Sequence, residues 1–373
     1  MNKKIYIITR HAVSNYGSLL QTIATSKIFE NYGYETKIID YISKKETIIN
    51  NLKNFANNRN LRGIKRILYF VLKYPGEIKK YFMFKKERKK YLSLTHRISN
   101  FDNKNIDFSN TILCSGGDQL WGYMPYNQLD KNYYLCFGSK NNKYISFSSS
   151  FGRYDFSKEE KEFILKNLKK YCFITVREES AVSFLNQLGI SSNCILDPTL
   201  LVNKSIWFSI CSKKIYRKRY ILVYKLRQDD QLNKLAEKIQ KAENEKLDIL
   251  YITNTYFNKN GKGKNIINPK LEYVLQLFKN SEYVVTDSFH ANVLAVIFQK
   301  NYFVHLPGDT NSRIIDFNKK IGQEKRIIDN YEECNIFDKI DYYKVDMILE
   351  NEKKKSFDMI DKMIKVVESE EVS

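Results

Sequence analysis

The chain has 373 residues, 43% of them hydrophobic and 28% charged, and a formal net charge of +20. That is too long for one ordinary core and too evenly mixed for a low-complexity chain, so two domains are expected. No run approaches the roughly eighteen apolar residues that span a bilayer, and the basic start MNKKIYIITR leads into a short β-like stretch, not a signal-peptide core. A cytoplasmic protein is expected.

KIYIITR (4–10) is strand-sized, HAVSNYGSLLQ is a loop entering a helix that runs from about Ser18 to Asn31, and Gly33 suits the C-cap before a second strand, YETKIIDY (34–41). This βαβ unit implies a parallel sheet. Residues 45–100 read as several helices. TILCSGG (111–117), KYISFSSSFG (143–152) and FITVREE (173–179) are further strands ending in polar loops, separated by helices around 157–170 and 178–188. CILDPTLLV (194–202) leads to an interdomain stretch, 203–218. The second α/β series comprises RYILVYKL (219–226), a helix to about Ala242, KLDILYIT (246–253), a mobile-looking loop at 258–265 and a helix at 269–280. YVVT, a helix to Gln299 and NYFVHLP (301–307) complete it, and a helical, charged tail starts at Tyr342. The expected halves are 1–205, with an insertion at about 45–105, and 219–345, followed by a tail at 346–373. Ligands in such folds bind at the carboxyl ends of strands, here in a crevice between the halves.

The insertion is unusual. From Ile49 to Asn100 it carries fourteen Lys or Arg against two acids, Glu77 and Glu87, interleaved with Tyr, Phe and Leu. It suits the surface of an anionic membrane, where rings enter the headgroup layer and cations meet phosphates. Ordinary lysine-rich surface helices explain the same composition. Nucleic acid fits less well, and no nucleic-acid partner is expected. The six cysteines form no CxxC pair and read as buried free thiols, so no metal site is expected.

Four polar loops follow strands. In HAVSNYGS, Asn15 and Ser18 sit on a turn that can cradle an anion or be a plain βα turn; His11 is a second imidazole for the same crevice. SGGDQLWG offers Gly116 and Gly117 for close backbone approach, Asp118 as a base or sugar ligand, Gln119 as an acceptor contact and Trp121 to stack on a sugar ring. A Gly-Gly turn with Asp118 as a helix cap is the alternative. In VREES, Arg177 can fork onto carboxylate or phosphate, or pair with Glu178 or Glu179. TDSFH places His290 between strand and helix, with Asp287 and Ser288 as natural N-caps and the helix N–H groups aimed at an anion. Asn311 and Arg313 follow as further anion-binding groups. His96 and His305 are left out, the latter as interior to a strand.

NYGSLLQ, SGGDQLW, SFSSSFG, VREESAVSFLNQLGI, LDPTLL followed by Trp207, and VVTDSFHANVLAVIF occur in this order. As a set they resemble the polysaccharide pyruvyl transferase family, from about residue 4 to residue 326. The resemblance implies two Rossmann-like domains in a GT-B-like arrangement, with the C-terminal helix packing back on the first. It implies transfer of a pyruvyl ketal from phosphoenolpyruvate to a sugar, lipid-linked or nucleotide-linked, in cell-envelope polysaccharide synthesis at the inner face of the membrane. No cofactor or metal is implied. Arg177 matches a donor-binding arginine, and His290 matches the histidine of an Arg-Leu-His triplet whose first two places are Ser288 and Phe289 here. Arg313, Arg153 or Lys225 can restore the missing cation. His290 is then the acid or phosphate ligand and Asp118 the base. A GT-B-type glycosyltransferase with a nucleotide-sugar donor and a non-catalytic anion-binding or membrane-scaffold protein are the alternative readings.

Overall fold

Short runs such as YILVY (220–224) are buried at every position, which only a sheet covered on both faces allows. The computed structural model describes residues 3–43, 46–58, 60–99, 101, 106–123, 128–213, 216–227, 229–253, 261–306 and 312–369. These form two units, Met1–Val202 with Glu352–Ser373, and Asn203–Asn351.

The first unit contains β1 (Lys4–Ile8), α1 (Tyr16–Asn31), β2 (Glu35–Ile38), α2 (Ile48–Asn58), α3 (Gly63–Tyr91) and β3 (Ile112–Ser115). There follow β4 (Lys143–Ser149), α4 (Lys158–Leu168), β5 (Phe173–Val176), α5 (Glu179–Gln187), β6 (Asn193–Cys194) and α6 (Pro198–Leu201). The six strands are parallel in the order β2-β1-β3-β4-β5-β6. The order reverses between β1 and β3, and in such sheets ligands bind at the carboxyl end of that switch point. Between Ser146 and Ser149 the β4 register shifts, with Ser148 in the left-handed region at φ 53°. This bulge explains the serine run. Ser146 Oγ donates to Thr175 O, Ser148 Oγ to Leu196 O, Ser149 Oγ to Ser115 O and Ser150 Oγ to Glu178, so each hydroxyl ties one strand end to a neighbour.

The second unit contains α7 (Lys204–Ile210), β7 (Tyr220–Tyr224), α8 (Asp230–Ala242), β8 (Asp248–Thr253), β9 (Lys264–Ile267) and α9 (Leu271–Asn280). There follow β10 (Tyr283–Thr286), α10 (Phe289–Ile297), β11 (Asn301–His305), α11 (Ser312–Lys320) and β12 (Ile327–Ile328). Its parallel sheet runs β12-β11-β10-β7-β8-β9, the Rossmann order, with the switch point between β7 and β10. The final helix, α12 (Tyr342–Glu368), belongs by its first turns to this unit, where Tyr342 donates to Lys300 O. Its last turns belong to the first unit, where Ser356 Oγ accepts from Leu196 N and Asp361 from Tyr32.

Several expectations are corrected. The basic insertion is helical as expected, but among its described residues one helix, α3, runs 29 residues through Pro75. Pro75 is exposed, so its ring faces solvent and the helix loses only a backbone donor there. The stretch at 203–218 contains α7, capped by Asn203 and anchored by buried Trp207. Lys264 and Asn265 open strand β9, where an edge position tolerates polar side chains; residues 258–260 lie outside the described residues. Cys114 and Cys334 are buried, but Cys136 and Cys172, just outside regular elements, are exposed. No described helix is long and apolar enough to cross a membrane.

Candidate functional site

In the first unit the polar loops meet along the carboxyl edge of the sheet. Asn15 caps α1, its Oδ1 accepting from Gly17 N–H at 2.7 Å. That cap aims the first turn so that Ser18 Oγ donates to Asp118 at 2.7 Å across the β1/β3 switch point. Asp118 also accepts from its neighbour, Gln119 N–H, and lies 4.0 Å from Arg177. Arg177, at the end of β5, donates to Asp197 at 2.6 Å, both side chains being buried. Burial alone would lower the Arg177 pKa; the carboxylates of Asp197, Asp118 and Glu178 outweigh it and raise the pKa above its ordinary value. Arg10, at the end of β1, is held the same way by Glu46 at 2.6 Å.

Some sequence-predicted roles do not survive this geometry. Trp121 is fully buried, packed on Tyr134, Phe151 and Tyr171 with Nε1 donating to Tyr133 O, so it is a core residue and not a sugar platform. Gln119 spends its amide on Phe151 O. Asp118 caps no helix. At Gly117 an added Cβ would lie 2.6 Å from Pro198 Cγ, so the close backbone approach is made by α6 and not by a ligand. The partner of Arg177 is Asp197, because Glu178 accepts from Ser150, Phe151 N–H and Tyr154. Arg153 stacks over Tyr123 and pairs with Asp155.

His11 is likewise structural. It is buried, with Nδ1 on Thr9 O and Nε2 on Asp40. Burial opposes the ionised form of Asp40, but His11 and Arg97 prevail and hold its pKa at about 2. This stabilisation is complete above about pH 4 and is lost as the pH falls through 2. Asp40→Asn should cost roughly 1–2 kcal/mol near neutral pH, and urea unfolding at pH 5 and pH 3 should show a smaller pH dependence than the wild type. Equal slopes would refute the assignment.

In the second unit the switch point gathers a different set. Asp287, after β10, accepts the backbone N–H of Leu226 and Arg227, after β7, so it ties the two strand ends together and does not cap α10. Ser288 takes the N-cap place without a side-chain cap bond. Phe289 is buried, in edge contact with His290 and Phe317, and His290 is half-buried in the first turn of α10. Arg313 reaches the same loop, its guanidinium 5.7 Å from the Phe289 ring. Asn311 lies outside the described residues.

A pair absent from the sequence reading stands beside it. His305 is the last residue of β11, and its Nδ1 meets Asp229 Oδ2 at 2.5 Å. Asp229 is buried and caps α8 through its other oxygen, which accepts from Gln231 N–H. Lys225 lies below, donating to Asn233 at 2.8 Å. Burial lowers the Lys225 pKa despite Asp229, and burial raises that of Asp287 despite its two N–H donors. Both groups are thus biased toward their neutral forms, a pattern concentrated at functional sites.

A family model described as polysaccharide pyruvyl transferase matches residues 15–304. The chain belongs to the polysaccharide pyruvyl transferase family. The matched span of this pyruvyl transferase family member runs from the α1 cap to Val304; it includes the β7/β10 switch point, while β1 precedes it and His305 follows it. No curated protein matches the chain. Among solved structures it is similar to a UDP-GlcNAc 2-epimerase from Methanocaldococcus jannaschii (14% identity, 94% of this chain and 92% of that one, TM-score 0.47). It is similar also to a UDP-N-acetylglucosamine 2-epimerase from Rickettsia bellii (12%, 98% and 96%, 0.49) and a glycosyltransferase from Rickettsia africae ESF-5 (12%, 96% and 99%, 0.42).

Proposed function

We propose that this pyruvyl transferase family member moves the pyruvyl group of phosphoenolpyruvate onto a hydroxyl pair of a lipid-linked or nucleotide-linked sugar, forming a cyclic ketal for a cell-envelope polysaccharide. The observation that carries the reading is the family match over residues 15–304.

The chemistry needs a proton on the methylene carbon of the donor, which makes the adjacent carbon oxocarbenium-like. One sugar hydroxyl bonds to that carbon, phosphate leaves with the electron pair of its C–O bond, and the second hydroxyl closes the ketal. Of the two hydroxyl protons, one balances the proton added to carbon and the other leaves with phosphate. His290 is the acid or phosphate ligand on α10. Arg313, brought to the Phe289 ring, supplies the guanidinium that Ser288 lacks. His305, oriented by Asp229, takes the base role for which Asp118 was a candidate, since Asp118 is already engaged by Ser18 and Gln119 N–H.

Ser288, in place of a cation, favours the second reading, a nucleotide-sugar donor. Thermal unfolding separates the two. Phosphoenolpyruvate at about 100 times its Kd should stabilise the protein by about 2.7 kcal/mol, with or without a nucleotide-linked sugar bound as acceptor. A shift with UDP-N-acetylglucosamine and none with millimolar phosphoenolpyruvate overturns pyruvyl transfer.

A further inference from the structure

The long helix α3 has two faces with opposite roles. Its inward face is fixed near the C-terminal end, where Phe84 packs on Tyr16 with ring centroids 4.8 Å apart and buried Arg88 donates to Ala12 O. Arg66 on the same side donates to Asn57 of α2. At 3.6 residues per turn the opposite face carries Ile64, Ile67, Leu68, Val71, Pro75, Ile78 and Phe82, spaced three and four apart. These should be buried in an ordinary surface helix. Instead Ile64 is 83% exposed, Ile67 65%, Val71 64% and Phe82 59%. The stripe is roughly 27 Å long at 1.5 Å per residue. Beyond Phe82 the same face continues as Lys85, Lys86 and Lys89.

We propose that this face of α3 lies in the headgroup layer of an anionic lipid bilayer, the apolar stripe entering the acyl boundary and the lysines meeting lipid phosphates. Charge decides among occupants. A second copy would bring a segment of the same sign, with fourteen basic residues against two acids between 49 and 100, and the two faces would repel. Glu77 pairs with Lys80, and Glu87 is buried, so neither acid offsets the cations of this face. Nucleic acid is anionic too, but a stripe of aliphatic side chains offers its phosphates nothing to bind. A bilayer supplies both an apolar layer and an anionic plane at the spacing of one amphipathic helix. The proposal does not depend on which donor the enzyme uses.

The test uses the full chain with vesicles of phosphatidylglycerol and phosphatidylcholine in equal parts, compared with phosphatidylcholine alone. Sedimentation with the anionic vesicles is expected. Each lysine near the surface is worth roughly fivefold in binding, so Lys85→Gln, Lys86→Gln and Lys89→Gln together should weaken it on the order of a hundredfold. Ile67→Ser with Val71→Ser should weaken it by a comparable factor, because two inserted side chains are lost. Leu68→Trp gives an independent readout. Both native tryptophans, Trp121 and Trp207, are fully buried, so a blue shift on adding anionic vesicles reports the new side chain entering lipid. All these sites are on the surface, and unchanged thermal midpoints should confirm the fold. The proposal is overturned if the wild type does not distinguish the two vesicle types, or if the apolar variant binds as tightly as the wild type. It is equally overturned if the Leu68→Trp shift is produced by double-stranded DNA, or by concentrating the protein without lipid.

Discussion

Arg177→Ala should lower the unfolding free energy by about 3–5 kcal/mol, the loss that follows when one member of a buried ion pair is removed. The pair in question is Arg177 with Asp197, 2.6 Å apart, each side chain almost completely shielded from water. Alanine removes the guanidinium that neutralises the buried Asp197 charge, leaving hydrogen bonds such as those from Thr199 N–H and hydroxyl to offset it. Asp118, 4.0 Å from the guanidinium, loses a favourable neighbour as well. The damage comes from the stranded charge, so removing that charge should undo part of it. Arg177→Ala with Asp197→Asn should therefore be more stable than Arg177→Ala alone, a non-additivity that a double-mutant cycle reads directly. Denaturant unfolding is the decisive measurement, because lost activity would not separate a lost ion pair from a lost donor contact. A wild-type midpoint for Arg177→Ala would show that the pair carries no stability.

The scaffold is legible in the sequence because fully covered parallel strands are short apolar runs with little else to be. VVT before His290 and YILV after Arg219 could hardly be read otherwise, and the α12 start at Tyr342 follows from its amphipathic charge pattern. The site is legible only in part, for a physical reason. A strand end announces that a loop is polar, but not where its side chains go. SGGDQLWG looks like an exposed ligand loop, yet the partners that bury Trp121 are Tyr134, Phe151 and Tyr171, supplied by later elements. Gly117 looks like a ligand cradle until Pro198, far along the chain, fills it. His305 lies in the strand, as the run NYFVHLP suggests, but that run hides the fact that the strand stops at the histidine. The signal that could have found it is the acidic pair Asp229 and Asp230 opening a helix just past a strand end, on the same edge of the sheet.

That pair leads to the largest expected effect on turnover. His305→Ala should reduce kcat for pyruvyl transfer by about 10²–10⁴-fold, the usual contribution of a positioned acid–base group. KM for phosphoenolpyruvate should change little, and the thermal midpoint should fall only modestly, since buried Asp229 loses one partner but keeps the Gln231 N–H. The geometry fixes which nitrogen works. A carboxylate only accepts, so Asp229 Oδ2 requires a proton on Nδ1, and in the neutral ring it is then the Nε2 lone pair that can take a proton from a sugar hydroxyl. Asp229 is then a positioning residue, and Asp229→Asn is the telling variant. Asparagine remains a good N-cap for α8, so the helix start should hold. Its amide, where it turns N–H toward the ring, favours the opposite tautomer and removes the lone pair from Nε2. Turnover should fall while stability is kept, the separation expected of a group that acts through another. Imidazole in the buffer should restore part of the activity of His305→Ala but none of that of Asp229→Asn, in which the native ring still occupies its place. A purely structural pair would behave oppositely, with both variants losing stability and neither responding to imidazole. If His305→Ala turns over at the wild-type rate while phosphoenolpyruvate still stabilises the protein, the donor stands and the base must be sought elsewhere on the same sheet edge.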